Sequence, residues 1–224
     1  MGCGRGRVAH HVARLTGGNV SGFNIDQRQI DHAIQYAAAT NMSERLAFRV
    51  DDFHQPFPYP NNTFDGSYDM QAIWGFTKRR DLDFASSEIY RTLKPGARFF
   101  SNTYALTSAF DAENPHHAHL HSLFLPTLAA SQSNYAHDIV ASLTRVGFTV
   151  LWSRPSVAPA WPLTDQKTTV IRLLHRFVSV LSSLGLVPST WDTDFSNLLM
   201  GGVAWHDAEK AKLADLCWQI VVQK

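Results

Sequence analysis

Apolar positions recur along the chain with two periods and divide it into alternating elements. Val8, Val12 and Leu15 are spaced for one buried face, which predicts a helix over 7–17, ended by Gly17 and Gly18. "NVSGFNI" (19–25) reads as a short buried strand, and Asp26 as the N-cap of a helix over 27–40. "RLAFRV" (45–50) is a second strand. A Pro-rich turn at 55–65 leads to a third, "FDGSYDM" (64–70). A helix over 81–93 stops at "KPG" and passes into the strand "ARFFSNTYA". Residues 138–147 predict a helix closed by Gly147, and "FTVLWSRPSV" (148–157) a strand. Beyond "VAPAWPLTDQ", Val170, Leu173, Leu174, Phe177 and Val180 mark an amphipathic helix over 168–184. Two shorter helical stretches and a final strand, "LCWQIVVQ", complete the pattern.

Such alternation predicts an α/β fold with a mainly parallel sheet covered on both faces. The composition changes after Pro155, which divides the chain into 1–155 and 156–224. With 224 residues and 45% apolar positions, a core for one domain plus a smaller appendage is available. Lys plus Arg (20) nearly equals Asp plus Glu (19), and no basic stripe points to a nucleic-acid partner. Cys3 and Cys217, the only cysteines, give neither a metal spacing nor a disulfide framework and suit a reducing compartment. No apolar run reaches the roughly 18 residues that a membrane span requires.

The opening "GCGRG" is the first candidate for chemistry. Alternating glycines directly before a helix let backbone turn with positive φ and approach a ligand, while the helix presents free N–H groups. The dinucleotide pattern G-x-G-x-x-G fails at Arg7. The spacing present, G-x-G-x-G at Gly2, Gly4 and Gly6, resembles that of S-adenosylmethionine-dependent methyltransferases.

Several longer segments carry a resemblance. "NVSGFNIDQRQIDHA" (19–33), "DDFHQPFPYPNNTFDGSYDM" (51–70), "SEIYRTLKPGARFF" (87–100), "SLTRVGFTVLW" (142–152) and "LSSLGLVP" (181–188) resemble segments of the sterol 24-C-methyltransferase family. The resemblance implies a Rossmann-like class I three-layer sandwich with a C-terminal helical region over the site. It implies methyl transfer from S-adenosyl-L-methionine to the side-chain double bond of a sterol or related isoprenoid lipid. Gly2, Cys3, Gly4, Gly6, Asn24, Gln29, Asp52 and Phe53 would bind the cofactor, and Tyr68, Gln71 and Tyr104 would be catalytic. A small lipid acceptor, peripheral membrane contact, a homo-oligomer and a cytoplasmic or endoplasmic-reticulum-peripheral location follow as expectations.

The chain also departs from the family pattern. A family glutamate is Gln71 here, a histidine is Gly75, and two further acidic positions are Thr103 and Ser108. Asp69 and Asp111 lie nearby, although strand alternation points Asp69 away from Tyr68. The neutral positions leave a second expectation open: a diverged, non-catalytic or altered-substrate paralogue that keeps cofactor binding. In the family a strand and an acidic residue precede the glycine loop. The chain is therefore expected to be incomplete at its amino end, to lack the first, central strand of the sheet, and to be poorly stable alone. "HHAHLH" (116–121) places His117 and His121 at helical spacing, but nothing nearby completes a metal site, so a loop or pocket rim is expected and no metal.

Overall fold

Gly6 and Gly17, at φ 74° and 70°, bracket the first helix, α1 (Arg7–Thr16), because each must adopt a left-handed conformation that a side chain disfavours. The computed structural model describes residues 1–156, 165–195 and 199–224. After α1 come β1 (Val20–Asn24), α2 (Gln27–Ala39), β2 (Leu46–Val50), β3 (Phe64–Met70), α3 (Leu82–Thr92) and β4 (Leu93–Leu106). Then follow α4 (Pro115–Phe124), α5 (Ala136–Arg145), β5 (Thr149–Arg154), α6 (Asp165–Ser183), α7 (Ser189–Phe195), α8 (Gly201–Lys210) and β6 (Ala214–Gln223). Asp26 caps α2 as expected, its carboxylate accepting from the Arg28 N–H at 2.9 Å.

The strands form two separate sheets. β1 and β2 pair in parallel, and the second sheet runs β3-β4-β6-β5. β3 is parallel to β4, but β6 is antiparallel to both β4 and β5. The mainly parallel expectation thus holds for the first four strands and fails at β6, which runs against both its neighbours. β6 also crosses the expected boundary at residue 155: the last ten-residue strand of the 156–224 region is an interior member of the larger sheet.

Between the β1 and β3 edges lies a cavity of about 670 Å³, lined among others by Val20, Phe23, Tyr59, Phe64, Tyr68 and Phe100. It runs from Gly18 and Asn19 at one end to Met1, Gly2 and Cys3 at the other. This slot corrects the expected buried face of α1. The helix buries Ala9, His10 and Ala13 instead, while Val8 and Val12 line the slot and Leu15 is exposed. Val8 is 41% exposed.

The main core joins Phe23, Ile73, Trp74, Ile89, Phe99, Leu143 and Ile220. A second cluster packs Tyr104, Phe124, Trp205 and Leu213 between β4, α4 and α8. α4 was not expected. Asn114 caps it by accepting from the His116 N–H at 2.9 Å, and Pro115 sits in its first turn. The "HHAHLH" stretch is therefore helical rather than a loop. The "Asn-Pro" start was the available signal.

One polar joint positions the loop between β2 and β3. The Arg91 guanidinium on α3 donates to the Glu88 carboxylate, to the Tyr59 and Phe57 carbonyls and to the Asn61 amide oxygen. Glu88 in turn accepts the Phe57 N–H at 2.6 Å. A helix pair at i, i+3 thereby anchors the loop that carries Asp52 and Phe53.

Candidate functional site

The glycine loop lies against the C-terminal end of β1. Gly2, Gly4 and Gly6 all have positive φ, 58°, 55° and 74°. The Cys3 N–H donates to the Phe23 carbonyl at 3.0 Å, and the Gly6 N–H to the Cys3 carbonyl at 3.0 Å. A Cβ on Gly2 would stand 2.4 Å from the Ala72 Cβ, and one on Gly6 2.8 Å from the Phe48 ring. Side chains are thus excluded by packing as well as by backbone conformation. Burial pushes the Cys3 thiol pKa up, so Cys3 sits in the loop as a neutral thiol.

The other expected cofactor residues gather at the same edge of the sheet. Asn24 ends β1, and its amide donates to the Gln29 Oε1 at 3.0 Å, while a Cβ on Gly4 would lie 3.4 Å from that same oxygen. The Asp51 N–H donates to the Asn24 carbonyl at 3.1 Å, which ties the end of β2 to the end of β1. Asp52 accepts the His54 N–H at 2.9 Å and faces the His54 Nδ1 at 2.7 Å, while the Phe53 ring lies 4.6 Å from the His54 ring. His54 reaches the Phe76 carbonyl through Nε2 at 3.2 Å. His54 was missed by sequence reasoning; its place two residues after the Asp is the signal of an Asx turn.

The three expected catalytic residues are not brought together. Tyr68 is half-buried and faces the slot between the sheets, where burial pushes its hydroxyl up to about 12. Gln71 follows β3 with φ 59°, a strained position for a non-glycine residue. Its amide donates to the Asn102 Oδ1 at 3.2 Å and to the Leu216 carbonyl of β6. Tyr104 lies in the second core cluster, where burial raises its pKa, and its hydroxyl bonds to Ser133. The His121 Nε2 is 2.6 Å from that same Ser133 oxygen. Burial lowers the His121 pKa, so a neutral imidazole terminates a Tyr104–Ser133–His121 chain. His117 is turned elsewhere and accepts the Asp111 N–H at 3.1 Å.

Asp69 has a different task. It is fully buried and accepts from the Ala72 and Ile73 N–H groups at 3.2 and 2.9 Å and from the Ser101 hydroxyl at 3.0 Å. Ser101 also receives the Trp74 indole N–H at 3.0 Å, so Trp74 belongs to the core. Asp69 therefore shapes the turn after β3 and does not replace the missing acid at Gln71.

Residues 1–96 match the methyltransferase domain family. The whole chain superposes on the geranyl diphosphate C-methyltransferase of Streptomyces coelicolor A3(2) with a TM-score of 0.69 at 14% identity, covering 99% of this chain and 68% of that one. The chain has the class I methyltransferase fold. Its sequence is similar to the sterol 24-C-methyltransferase of Neurospora crassa, 29% identical over all of this chain and 64% of that protein. It is also similar to that of Saccharomyces cerevisiae, 38% identical over 52% of this chain and 30% of the relative. The chain thus spans less than two thirds of the length of these relatives.

In this fold the glycine loop, Asn24 and the Asp52 turn all lie at the C-terminal ends of parallel strands, where an open α/β sheet receives its ligands. Thr103, a neutral replacement for an expected acid, is 2% exposed and bonds to the Tyr104 carbonyl. Ser108, the other, lies on the surface in the turn after β4. Among the described residues, no group of three His, Cys, Asp or Glu side chains could hold a metal ion, and no helix is long and apolar enough to cross a membrane.

Proposed function

We propose that this chain is an S-adenosylmethionine-dependent C-methyltransferase that methylates the side-chain double bond of a sterol or related isoprenoid lipid. The observation that carries the reading is the loop of three left-handed glycines packed on the end of β1, joined to the sequence similarity with sterol 24-C-methyltransferases. The loop fits the cofactor: it offers backbone where two Cβ atoms would collide with neighbours, beside a helix N-terminus. Asn24, which donates to Gln29, keeps its own amide oxygen to accept from a ribose hydroxyl. Asp52, already holding His54, offers its second carboxylate oxygen to an adenine amino group, with Phe53 beside it.

The bound cofactor supplies an electrophilic methyl group on a sulfonium. The remaining work falls to the chain. Gln71, held rigid by Asn102 and Leu216, positions the acceptor at the ends of β3 and β4. A weakly nucleophilic alkene gains positive charge as it is methylated, and aromatic faces stabilise such charge without trapping it. Tyr104, two residues before the end of β4, is an aromatic with a proton route. A proton received at its hydroxyl passes through Ser133 to the neutral His121.

A second reading, a diverged paralogue that binds cofactor without turnover, is favoured by Gln71 itself. A neutral amide bonded to a backbone carbonyl supplies neither charge nor base. Labelled S-adenosylmethionine and a panel of sterols with unsaturated side chains separate the readings. Label in the lipid extract supports methyl transfer. Cofactor binding without labelled lipid, with label restored by Gln71→Glu, supports the diverged paralogue, and no cofactor binding at all overturns both.

A further inference from the structure

His54 stands between two hydrogen-bond acceptors. Its Nδ1 lies 2.7 Å from the Asp52 Oδ1, and its Nε2 lies 3.2 Å from the Phe76 carbonyl oxygen. An ionised carboxylate and a carbonyl only accept. A neutral imidazole has one N–H, so it satisfies one of them and turns a lone pair toward the other, whereas the imidazolium donates to both. The same ring lies 4.6 Å from the Phe53 ring at an interplanar angle of 40°, a contact that also gains from positive charge. Phe76 ends the short 3-10 turn Ile73–Gly75, close behind Gln71. One side chain thus ties the turn after β2 to the turn after β3, and all three of its contacts favour the charged ring. The His54 and Asp52 side chains are 44% and 34% exposed, so the ring exchanges its proton with solvent and can be replaced without opening a core cavity.

We propose that His54 is a positioning residue for the cofactor: as an imidazolium it fixes the Asp52 carboxylate and the Phe53 ring where an adenine would meet them. The inference rests on the reading that Asp52 and Phe53 receive the adenine. The His54 backbone N–H, at 2.9 Å, and its ring both address Oδ1 of Asp52, which leaves Oδ2 for the ligand. The charges behind this pair are Asp51, which accepts the Asp52 N–H at 2.9 Å, and Arg49, which pairs with Asp51 at 3.4 Å. Two further titratable groups border the same end of the sheet, and both stay neutral near pH 7. Burial raises the Cys3 thiol, and it pushes the Tyr68 hydroxyl up to about 12. Histidine is the residue type of this set whose charge changes between about pH 5 and 8. Cofactor affinity is therefore high where the ring is charged. It falls as pH rises through that range, because the ring then loses one of its two bonds.

The test is calorimetric binding of S-adenosylhomocysteine to the full chain between about pH 5.5 and 8.5. The parent is compared with His54→Gln, whose amide does not titrate, and with Asp52→Asn. The ligand's own ionisation is common to all three and cancels in their affinity ratios. The ratio of parent to His54→Gln affinity should fall about threefold to tenfold from the lower to the upper pH, the worth of one hydrogen bond. A merely structural role for His54 gives a loss that is the same at every pH. A ratio that is constant or rises with pH overturns the inference, as does a parent that binds no S-adenosylhomocysteine. Asp52→Asn separates this outcome from failure of the reading beneath it. Weaker binding by Asp52→Asn with a constant His54→Gln ratio keeps Asp52 at the adenine and rejects the role of His54. Unchanged binding by Asp52→Asn removes Asp52 from the cofactor site and the inference with it.

Discussion

Replacing Arg91 with Ala should cost far more than the loss of a surface ion pair. Its guanidinium makes five hydrogen bonds: two to the Glu88 carboxylate at 2.8 and 2.7 Å, and one each to the Tyr59 carbonyl, the Asn61 amide and the Phe57 carbonyl. The Glu88 side chain is only 11% exposed and would keep a single donor, the Phe57 N–H. Exposed pairs contribute under about 1 kcal/mol. Breaking a buried pair by removing one partner costs about 3–5 kcal/mol, and the 29% exposure of Arg91 places this one at the lower end. At roughly 2–4 °C per kcal/mol for a chain of this size, a loss of about 3 kcal/mol lowers the melting temperature by roughly 6–12 °C. The assay is thermal unfolding of Arg91→Ala, Glu88→Gln and the double variant. Removing the charge at Glu88 relieves the stranded carboxylate, so the double variant should lose less than the sum of the single losses. Acid titration gives an independent check. Hydrogen bonds from Arg91 hold the Glu88 carboxyl below its ordinary value of 4.5. Its contribution is therefore complete above that value and is lost as pH falls through the lowered one, so Glu88→Gln should flatten the acid limb. A melting temperature for Arg91→Ala within about 2 °C of the parent, or additive losses, would refute the reasoning.

Gly6→Ala, which places a Cβ 2.8 Å from the Phe48 ring, should cost about 1–3 kcal/mol and weaken S-adenosylmethionine binding in calorimetry; unchanged affinity would remove the loop from the cofactor site. Extending the amino end by a short apolar, β-branched segment should fill the 670 Å³ slot, pair with both sheet edges and raise and sharpen the melting transition; equal, sharp transitions would show that the slot needs no strand. Burial lowers the His121 pKa from 6.5, so protonation opposes folding and stability should fall as pH drops below that value. His121→Gln should remove this component, and an unchanged pH profile would mean that His121 is not held neutral.

What the sequence determined by itself was local. Alternating glycines before an amphipathic helix specify a left-handed loop because few other residues tolerate that backbone, and Asp26 caps α2 because its oxygen lies two residues from a free N–H. The Glu88–Arg91 pair is likewise a matter of helical spacing. What the tertiary structure decided was distant in the chain. Gln71 reaches Leu216 across 145 residues, and Tyr104, Ser133 and His121 meet only because α4 and the segment before α5 fold back onto β4. The hydrophobic period of α6 was legible, but period alone fixes which residues share a face, not which way that face points. Ion pairs from Asp165 and Arg172 to α8 turned it outward, and the gap between two sheets left Val8 and Val12 facing a slot in place of a core.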